Sequence, residues 1–447
     1  MRFSFHLILT ISIISLISCN KQSKNDTAGN VSTDTVTVNT YKATINLPPP
    51  NEKESAVKYS KVIGWPEGKT PTVPEGLSIT KFASGLKSPR NIYVAPNGDI
   101  FVALANTESK GIKKKITDEI SGRNESQHTQ SSLNQVYLFR DNNGDGKPEV
   151  QTPYITGLNQ PFGMLILNNY FYVANTDGIL RYPYKDGDTR IDAKGEKILD
   201  LPAGGYNNHW TRNLISNNDG SKIFVSVGSA SNVAEHGIQE EQFRANILEI
   251  NPDGTGKRIF ASGLRNPVGM DILPGTSELW TVVNERDELG DNLVPDYLTQ
   301  AKEGGFYGWP YSYFGQHIDP RIKQEDQKPE LVQQAIVPDL PLDSHSSSMG
   351  IVFYEQKQLP EKYQGGAFIA QHGSWNRSAF TGYRVAFVPF KNGKLAGPAE
   401  DFVTGFIADA EKGEVYGRPV ATAVTKEGNL LITDDASDTI WLVRESK

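Results

Sequence analysis

The chain has 447 residues, with 45 Lys and Arg against 52 Asp and Glu, a formal net charge of −7 and a single cysteine. That acidic balance, with no long basic run, excludes nucleic acid as an expected partner. With Cys19 alone, the body has no disulfide, thiolate-metal site or catalytic thiol to draw on.

The first element predicted is an export signal. Met1-Arg2 carries a positive charge, an apolar run spans Leu7 to Ile17, and Leu16-Ile17-Ser18-Cys19 ends it. The run is short for a membrane span and has the order of a signal peptide, so residues 1–19 are expected to be a signal peptide ending at Cys19, which would become the new first residue after export. Leu-Ile-Ser-Cys resembles the bacterial lipobox, in which Cys19 would be acylated. The expectation is a chain attached to the bacterial envelope through a lipid anchor only, with the leaflet left open. Residues 20–65 are rich in Ser, Thr, Asn, Lys and Pro and read as a flexible tether.

From residue 66 to 447 the sequence repeats one phrase: a loop, an apolar strand, a turn, a second strand. Six copies begin at Ser88-Pro89-Arg90, Gln160-Pro161-Phe162, His209-Trp210-Thr211, Arg265-Asn266-Pro267, Ser347-Ser348-Met349 and Gly417-Arg418-Pro419. The turns are hairpin material, such as Pro96-Asn97-Gly98, Asn218-Asp219-Gly220 and Glu427-Gly428. Short strands with almost no helical periodicity predict an all-β fold: a six-bladed β-propeller of four-stranded antiparallel blades. A strand at Leu77-Ser78-Ile79-Thr80-Lys81-Phe82 precedes the first copy, and Thr439-Ile440-Trp441-Leu442-Val443 gives the last copy only a third strand. Pairing these two would complete the last blade and remove two open edges.

Each blade is a meander, so loops leading into first strands and loops leaving second strands share one face. Arg90, His209, Arg265, His345 and Arg418 lie in or beside the former; Glu285-Arg286-Asp287-Glu288 and Gln371-His372-Gly373-Ser374-Trp375-Asn376-Arg377 follow the latter. This places a positive, hydrogen-bond-rich pocket at one end of the central channel. Arginine forks suit carboxylates and stack on flat conjugated rings, so the implied ligand is planar and anionic, with several carboxylates.

Four long motifs then carry a resemblance: Ala261 to Pro267, Asn284 to Asp291, Gly304 to Pro310 and His372 to Arg377. From about residue 75 onward the chain resembles the glucose/sorbosone dehydrogenase family, closest to its sorbosone-dehydrogenase-like branch, which includes a fungal pyranose dehydrogenase domain. The resemblance implies a six-bladed propeller that uses pyrroloquinoline quinone (PQQ) with Ca²⁺. It implies oxidation of a sugar or sugar-derived alcohol or aldehyde, with hydride passing to the quinone and a histidine taking the proton. By motif position His209 matches the family's catalytic histidine. His372, Trp375, Asn376 and Arg377 match the segment lining the quinone, and Arg90, Arg265, Asn266 and Arg418 match positions holding its carboxylates or carbonyls. Arg212, in the phrase of His209, is grouped with these cofactor contacts, and His345 is either a further contact or a loop-packing residue.

The chain departs from the family at one point. Where the glucose dehydrogenases have an aspartate that orients the catalytic histidine, it reads Val227-Gly228-Ser229-Ala230. Either another group orients His209, or His372 is the base. For Ca²⁺, the expected ligands are Glu285, Asp287 and Asp291 with loop carbonyls. Asp141 to Glu149 opens like an EF-hand loop but has Thr152 at the twelfth position, so it reads as a tight turn with or without structural calcium. The polar insertion from Thr107 to Ser132, with Lys113-Lys114-Lys115, is expected to cover the substrate in part.

The chain has no haem-attachment Cys-x-x-Cys-His, so electrons are expected to leave to a separate acceptor, a quinone or a cytochrome. Two other functions fit the same fold: a calcium-dependent lactonase and a non-catalytic binding propeller at the surface.

Overall fold

The computed structural model describes residues 41, 43, 45–108, 126 and 132–446. The expected signal peptide, Cys19, residues 20–40 and the Lys113-Lys114-Lys115 cluster lie outside the described residues.

The chain builds six four-stranded antiparallel sheets. Sheet 1 comprises Pro89–Val94, Ile100–Leu104, Gln135–Arg140 and Val150–Ile155; sheet 2, Met164–Leu167, Tyr170–Asn175, Gly178–Pro183 and Glu196–Asp200. Sheet 3 comprises Arg212–Ser216, Ile223–Val227, Asn246–Ile250 and Arg258–Ser262; sheet 4, Pro267–Ile272, Leu279–Val283, Pro295–Gln300 and Leu340–Ser344. Sheet 5 comprises Ser348–Phe353, Ala367–Gln371, Arg384–Val388 and Glu400–Val403. In sheet 6, Pro419–Val424, Leu430–Asp434 and Thr439–Glu445 are completed by Leu77–Ser84 from the other end of the chain, with Leu77 opposite Glu445. The expected closure is present: the two leftover strands cancel each other's open edges.

The first strands of sheets 1 to 6 touch in a closed cycle, each against the next and the sixth against the first. The second strands (Ile100–Leu104, Ile223–Val227, Leu279–Val283, Ala367–Gln371, Leu430–Asp434) are buried at every position. Their continuous apolar runs reflect covering on both faces by neighbouring sheets. The repeated phrase carries a glycine where the inner strands meet. A Cβ on Gly269 would lie 2.8 Å from Ile351 N, and one on Gly350 2.7 Å from Ala421 Cα. Only a residue without a side chain lets adjacent inner strands approach so closely. Ala105, Phe162, Trp210, Val268, Met349 and Val420 meet as one buried apolar cluster that plugs the centre.

Two features differ from the sequence expectation. Residues 301–339 leave sheet 4 between its third and fourth strands and form the hairpin Ser312–Tyr313/His317–Ile318 and the helix Pro329–Gln334. The tether boundary also moves toward the N-terminus: within 20–65, residues 51–65 lie on the domain as a strap. Asn51 N donates to Leu289 O at 3.0 Å and Lys58 N to Trp375 O at 2.8 Å; Lys61–Val62 pairs in parallel with Glu414–Val415. Trp65 packs among Phe406, Tyr416 and Trp441 and donates to Asp434 Oδ2 at 3.0 Å. A polar average hid these few anchoring aromatic and apolar residues.

Candidate functional site

Loops that lead into first strands and loops that leave second strands meet on one face, as the repeat implied, and there the charged residues form two clusters. The first surrounds His209, at the loop leading into sheet 3. Its Nδ1–H donates to Ser229 O at 2.8 Å, with Ser229 Oγ at 3.0 Å, leaving Nε2 without a partner among the described residues. Ser229 thus orients the ring through its backbone carbonyl and hydroxyl. An acid still braces this loop one step away: buried Glu241 accepts from Ala230 N at 2.7 Å and Ser231 N at 3.1 Å, and Ser229 Oγ donates to Ser231 O at 2.6 Å. Burial and the nearby Arg265 charge push the His209 pKa down to about 3, so the ring is neutral at pH 7.

Arg265 reaches across to the loop after the second strand of sheet 4. It donates to Glu285 O at 2.6 Å, Asn232 Oδ1 at 2.9 Å and Asp287 Oδ2 at 3.1 Å. Asp287 also accepts from His345 Nδ1 at 3.3 Å, while His345 Nε2 donates to Gly290 O at 3.0 Å. Burial opposes the His345 charge, but the Asp287 bond and charge outweigh it and raise its pKa. With both ring nitrogens facing acceptors, the His345 ring favours its protonated form and fixes the loop. Asp287 is held below the usual carboxylate range by His345 and Arg265, which together outweigh its burial.

The second cluster centres on Asp435, which the motif reading missed. Asp435 Oδ1 accepts from His372 Nε2 at 2.8 Å, and Oδ2 pairs with Arg90 NH1. Burial, reinforced by Arg418, pushes the His372 pKa down to about 4. Burial raises the Asp435 carboxyl, but His372, Arg90 and Arg418 together pull it below its ordinary value. Arg418 spends its fork on His372 O at 2.9 Å, Gly373 O at 3.0 Å and Ser126 O. Ser126 belongs to the insertion expected to be a partial lid, so that insertion touches the arginine cluster at Ser126. The clusters join through Trp210, next to His209, whose ring lies 5.3 Å under the Arg90 guanidinium. The signal for Asp435 was available: it directly follows the second strand of sheet 6, the place occupied by Asn284 in sheet 4 and His372 in sheet 5.

Other predicted residues turn elsewhere. Arg212 is fully buried, with its guanidinium on the carbonyls of His209, Thr211 and Pro202 and on Asn207 Oδ1, so it braces the His209 loop from within. The Asn376 amide is consumed by Glu288 N at 2.7 Å and by Ser55 Oγ and Ala56 O of the strap. Arg377 holds Asp291 O at 3.0 Å and Asn292 Oδ1 at 2.9 Å. Trp375 stacks on Tyr59 of the strap, centroids 5.8 Å apart and planes 11° apart. Asn376 and Trp375 tie the site's rim to the strap, and Arg377 ties it to the loop after the second strand of sheet 4.

The expected calcium ligands do not converge. Glu285 carries its carboxylate to Arg286 at 2.9 Å, Asp287 to Arg265 and His345, and Asp291 to Ser378. No group of three His, Cys, Asp or Glu side chains arranged for a metal occurs among the described residues. In the Asp141 to Glu149 turn, side-chain oxygens are spent within the loop, with Gly144 N on Asp141 Oδ1 at 2.9 Å and Asn142 N on Glu149 Oε2 at 2.7 Å.

Two buried polar atoms on this face, one donor and one acceptor, are left for a ligand. Arg90 Nε and Asn266 Oδ1 are buried without partners, and buried polar atoms are rarely left so. Gly228 makes room there: a Cβ on it would lie 2.2 Å from Asn266 Oδ1 and 2.7 Å from His209 Cβ.

An all-β ring of four-stranded sheets with arginines and histidines gathered at one channel mouth defines a class of channel-mouth sites for anionic ligands. The chain belongs to the TrAA12-like family, whose pattern it matches over residues 71–300 and 312–446. A Borreliella burgdorferi protein with no assigned function is 27% identical over 392 residues, 84% of this chain and 91% of that one. Among solved structures, the holo PQQ domain of pyranose dehydrogenase from Coprinopsis cinerea superposes with a TM-score of 0.67 at 17% identity, covering 86% of this chain and all of that one. A calcium structure of the Trichoderma reesei AA12 enzyme gives 0.67 at 17% identity over 89% and 99%.

Proposed function

We propose that this protein is a PQQ-dependent dehydrogenase of sugars or sugar-derived alcohols and aldehydes, built on a six-bladed β-propeller. The observation that carries the reading is His209: a neutral imidazole with Nδ1 fixed on Ser229 and Nε2 free, beside Arg265 and the unpaired Asn266 amide. Six sheets, their closed cycle of inner strands and membership of a family with PQQ pyranose dehydrogenase structures support it.

When bound, PQQ supplies the hydride acceptor, chemistry no side chain has. The chain supplies the rest. Arg90 would donate to the cofactor's oxygens through its unpaired Nε, Asn266 Oδ1 would accept from an N–H or O–H group of the bound cofactor or substrate, and Arg265 and Arg418 add charge at the edges. His209 accepts the substrate hydroxyl proton at Nε2, and the Ser229 carbonyl fixes the tautomer that leaves this nitrogen basic. Asp287, held ionised by Arg265 and His345, steadies the imidazolium that forms. The calcium expected from the resemblance finds no converging carboxylate cage in Glu285, Asp287 and Asp291, and no step is assigned to it. The same divergence leaves the lactonase reading without support. Envelope attachment through Cys19 and transfer to a separate quinone or cytochrome complete the reading.

The test is absorbance and sugar-dependent dye reduction of the purified protein with PQQ, with and without Ca²⁺. A quinone spectrum bleached by an aldose, with reduction lost in His209→Ala, supports the assignment. Loss in His372→Ala but not His209→Ala moves the base to the His372–Asp435 pair. Absence of PQQ binding overturns the cofactor assignment.

A further inference from the structure

A cleft of about 740 Å³ opens beside the His209 cluster, between residues 232–239 and 310–328, with Glu288 at the junction. It shares a wall with the proposed catalytic cluster. Asn232, in that wall, accepts from Arg265 NH2 and Asp287 N at 2.9 Å each, and Arg321 NH1 donates to Asp287 O at 2.7 Å. The volume falls within the range of small-molecule sites and exceeds what one sugar ring fills.

The chemistry of the walls is specific. Ile238 is 47% exposed on one side and the half-buried Tyr311 ring lies in the other wall, offering apolar surface to the C–H face of a sugar ring. Exposed Lys323 and Lys328 stand near exposed Glu325 and Asp326, so donors and acceptors alternate without a single-sign field. Glu288 sits at φ 71°, a conformation a glutamate rarely adopts, pinned by its own N–H on Asn376 Oδ1 at 2.7 Å. Its carboxylate has no hydrogen-bond or ion-pair partner among the described residues, so both oxygens are available to a ligand.

We propose that this cleft is a saccharide subsite that takes the distal rings of a neutral oligosaccharide whose terminal sugar reaches His209. Glu288 accepts from ring hydroxyls and Ile238 and Tyr311 flank the ring faces. The inference rests on the dehydrogenase reading only for the reacting end.

The experiment is calorimetric titration of the purified protein with glucose and with two- and three-ring gluco-oligosaccharides in α-1,4 and β-1,4 series, beside dye reduction with PQQ. In one series the longer chains are expected to bind roughly tenfold tighter than glucose, about the worth of one or two added hydrogen bonds. That advantage should shrink toward one in Ile238→Asp and in Glu288→Gln. Glucose-dependent reduction with no gain in either series overturns the subsite and leaves the dehydrogenase reading intact. A gain without any sugar-dependent reduction supports the cleft and overturns the dehydrogenase. A gain untouched by both substitutions, or tighter binding of amino- or carboxyl-bearing chains, overturns the location or the neutral class.

Discussion

His372 donates its Nε2 proton to Asp435 at 2.8 Å, and the other oxygen of that carboxylate holds Arg90. This buried carboxylate is the hinge between a histidine and an arginine from sheets at opposite ends of the sequence. Asp435→Ala leaves Arg90 buried and unpaired, and breaking such a pair costs about 3–5 kcal/mol. A marked fall in thermal midpoint is expected by calorimetry, with weaker PQQ binding. Asp435→Asn keeps the shape, so its midpoint should fall less.

Ser229 orients His209 through both a carbonyl and a hydroxyl. The carbonyl survives substitution, so Ser229→Ala should slow sugar oxidation by less than about tenfold, the worth of one neutral hydrogen bond. His209→Ala should abolish it at saturating PQQ. A Ser229→Ala loss as deep as that of His209→Ala, by dye-reduction kinetics, would show that the hydroxyl, and not the carbonyl, sets the tautomer.

Two buried histidines favour the fold as pH climbs from acid toward neutrality, whereas buried Asp271 and Asp296, pushed up to about 7 and about 6, favour it at the acid end. His209 and His372, pushed down to about 3 and about 4, take up protons in the unfolded chain below about 6.5 but resist them when folded. At these two rings the unfolded state therefore binds more protons across that window. Asp435, depressed when folded, adds a loss as pH falls below the ordinary carboxylate value. His345, raised when folded, contributes the opposite sign: its stabilisation is complete below about 6.5 and is lost as pH rises through its folded pKa. Between pH 4 and 7 the thermal midpoint of His372→Gln should rise less with pH, or fall more, than that of the unsubstituted protein.

Glu285, Asp287 and Asp291 face three different partners. If calcium supports activity, Asp291→Asn should leave its half-saturating concentration within about twofold, because Asp291 serves Ser378. Asp287→Asn should instead disturb Arg265 and His345 and lower kcat. A large calcium shift in Asp291→Asn, read from activity titrations, would restore it as a ligand.

The strap behaves as part of the domain. Removing residues 1–40 should leave the midpoint nearly unchanged, whereas removing 1–65 should lower it by several degrees, because Tyr41 and Ala43 leave the core they pack against and Trp65 vacates its place among Phe406, Tyr416 and Trp441. Loss of a well-packed tryptophan costs about 3 kcal/mol. Equal midpoints by scanning calorimetry would return 51–65 to the status of a tether.

The sequence alone determined the repeat, the strands and the pairing of the two ends, because each follows from local apolar pattern and turn chemistry. It also placed Arg90, His209, Arg265, His372 and Arg418 on one face, since strand alternation fixes which loops share an end. Only the tertiary structure decided what each side chain meets there. Arg212, Asn376 and Arg377 have the residue types of ligand contacts, yet backbone carbonyls and the strap claim them. Asp435 and Glu241, which the motifs passed over, brace the two histidines. Hydrogen-bond partners on this face come from residues hundreds of positions apart, such as Arg90 with Asp435. No local pattern encodes such pairings, and they appear only when the ring closes.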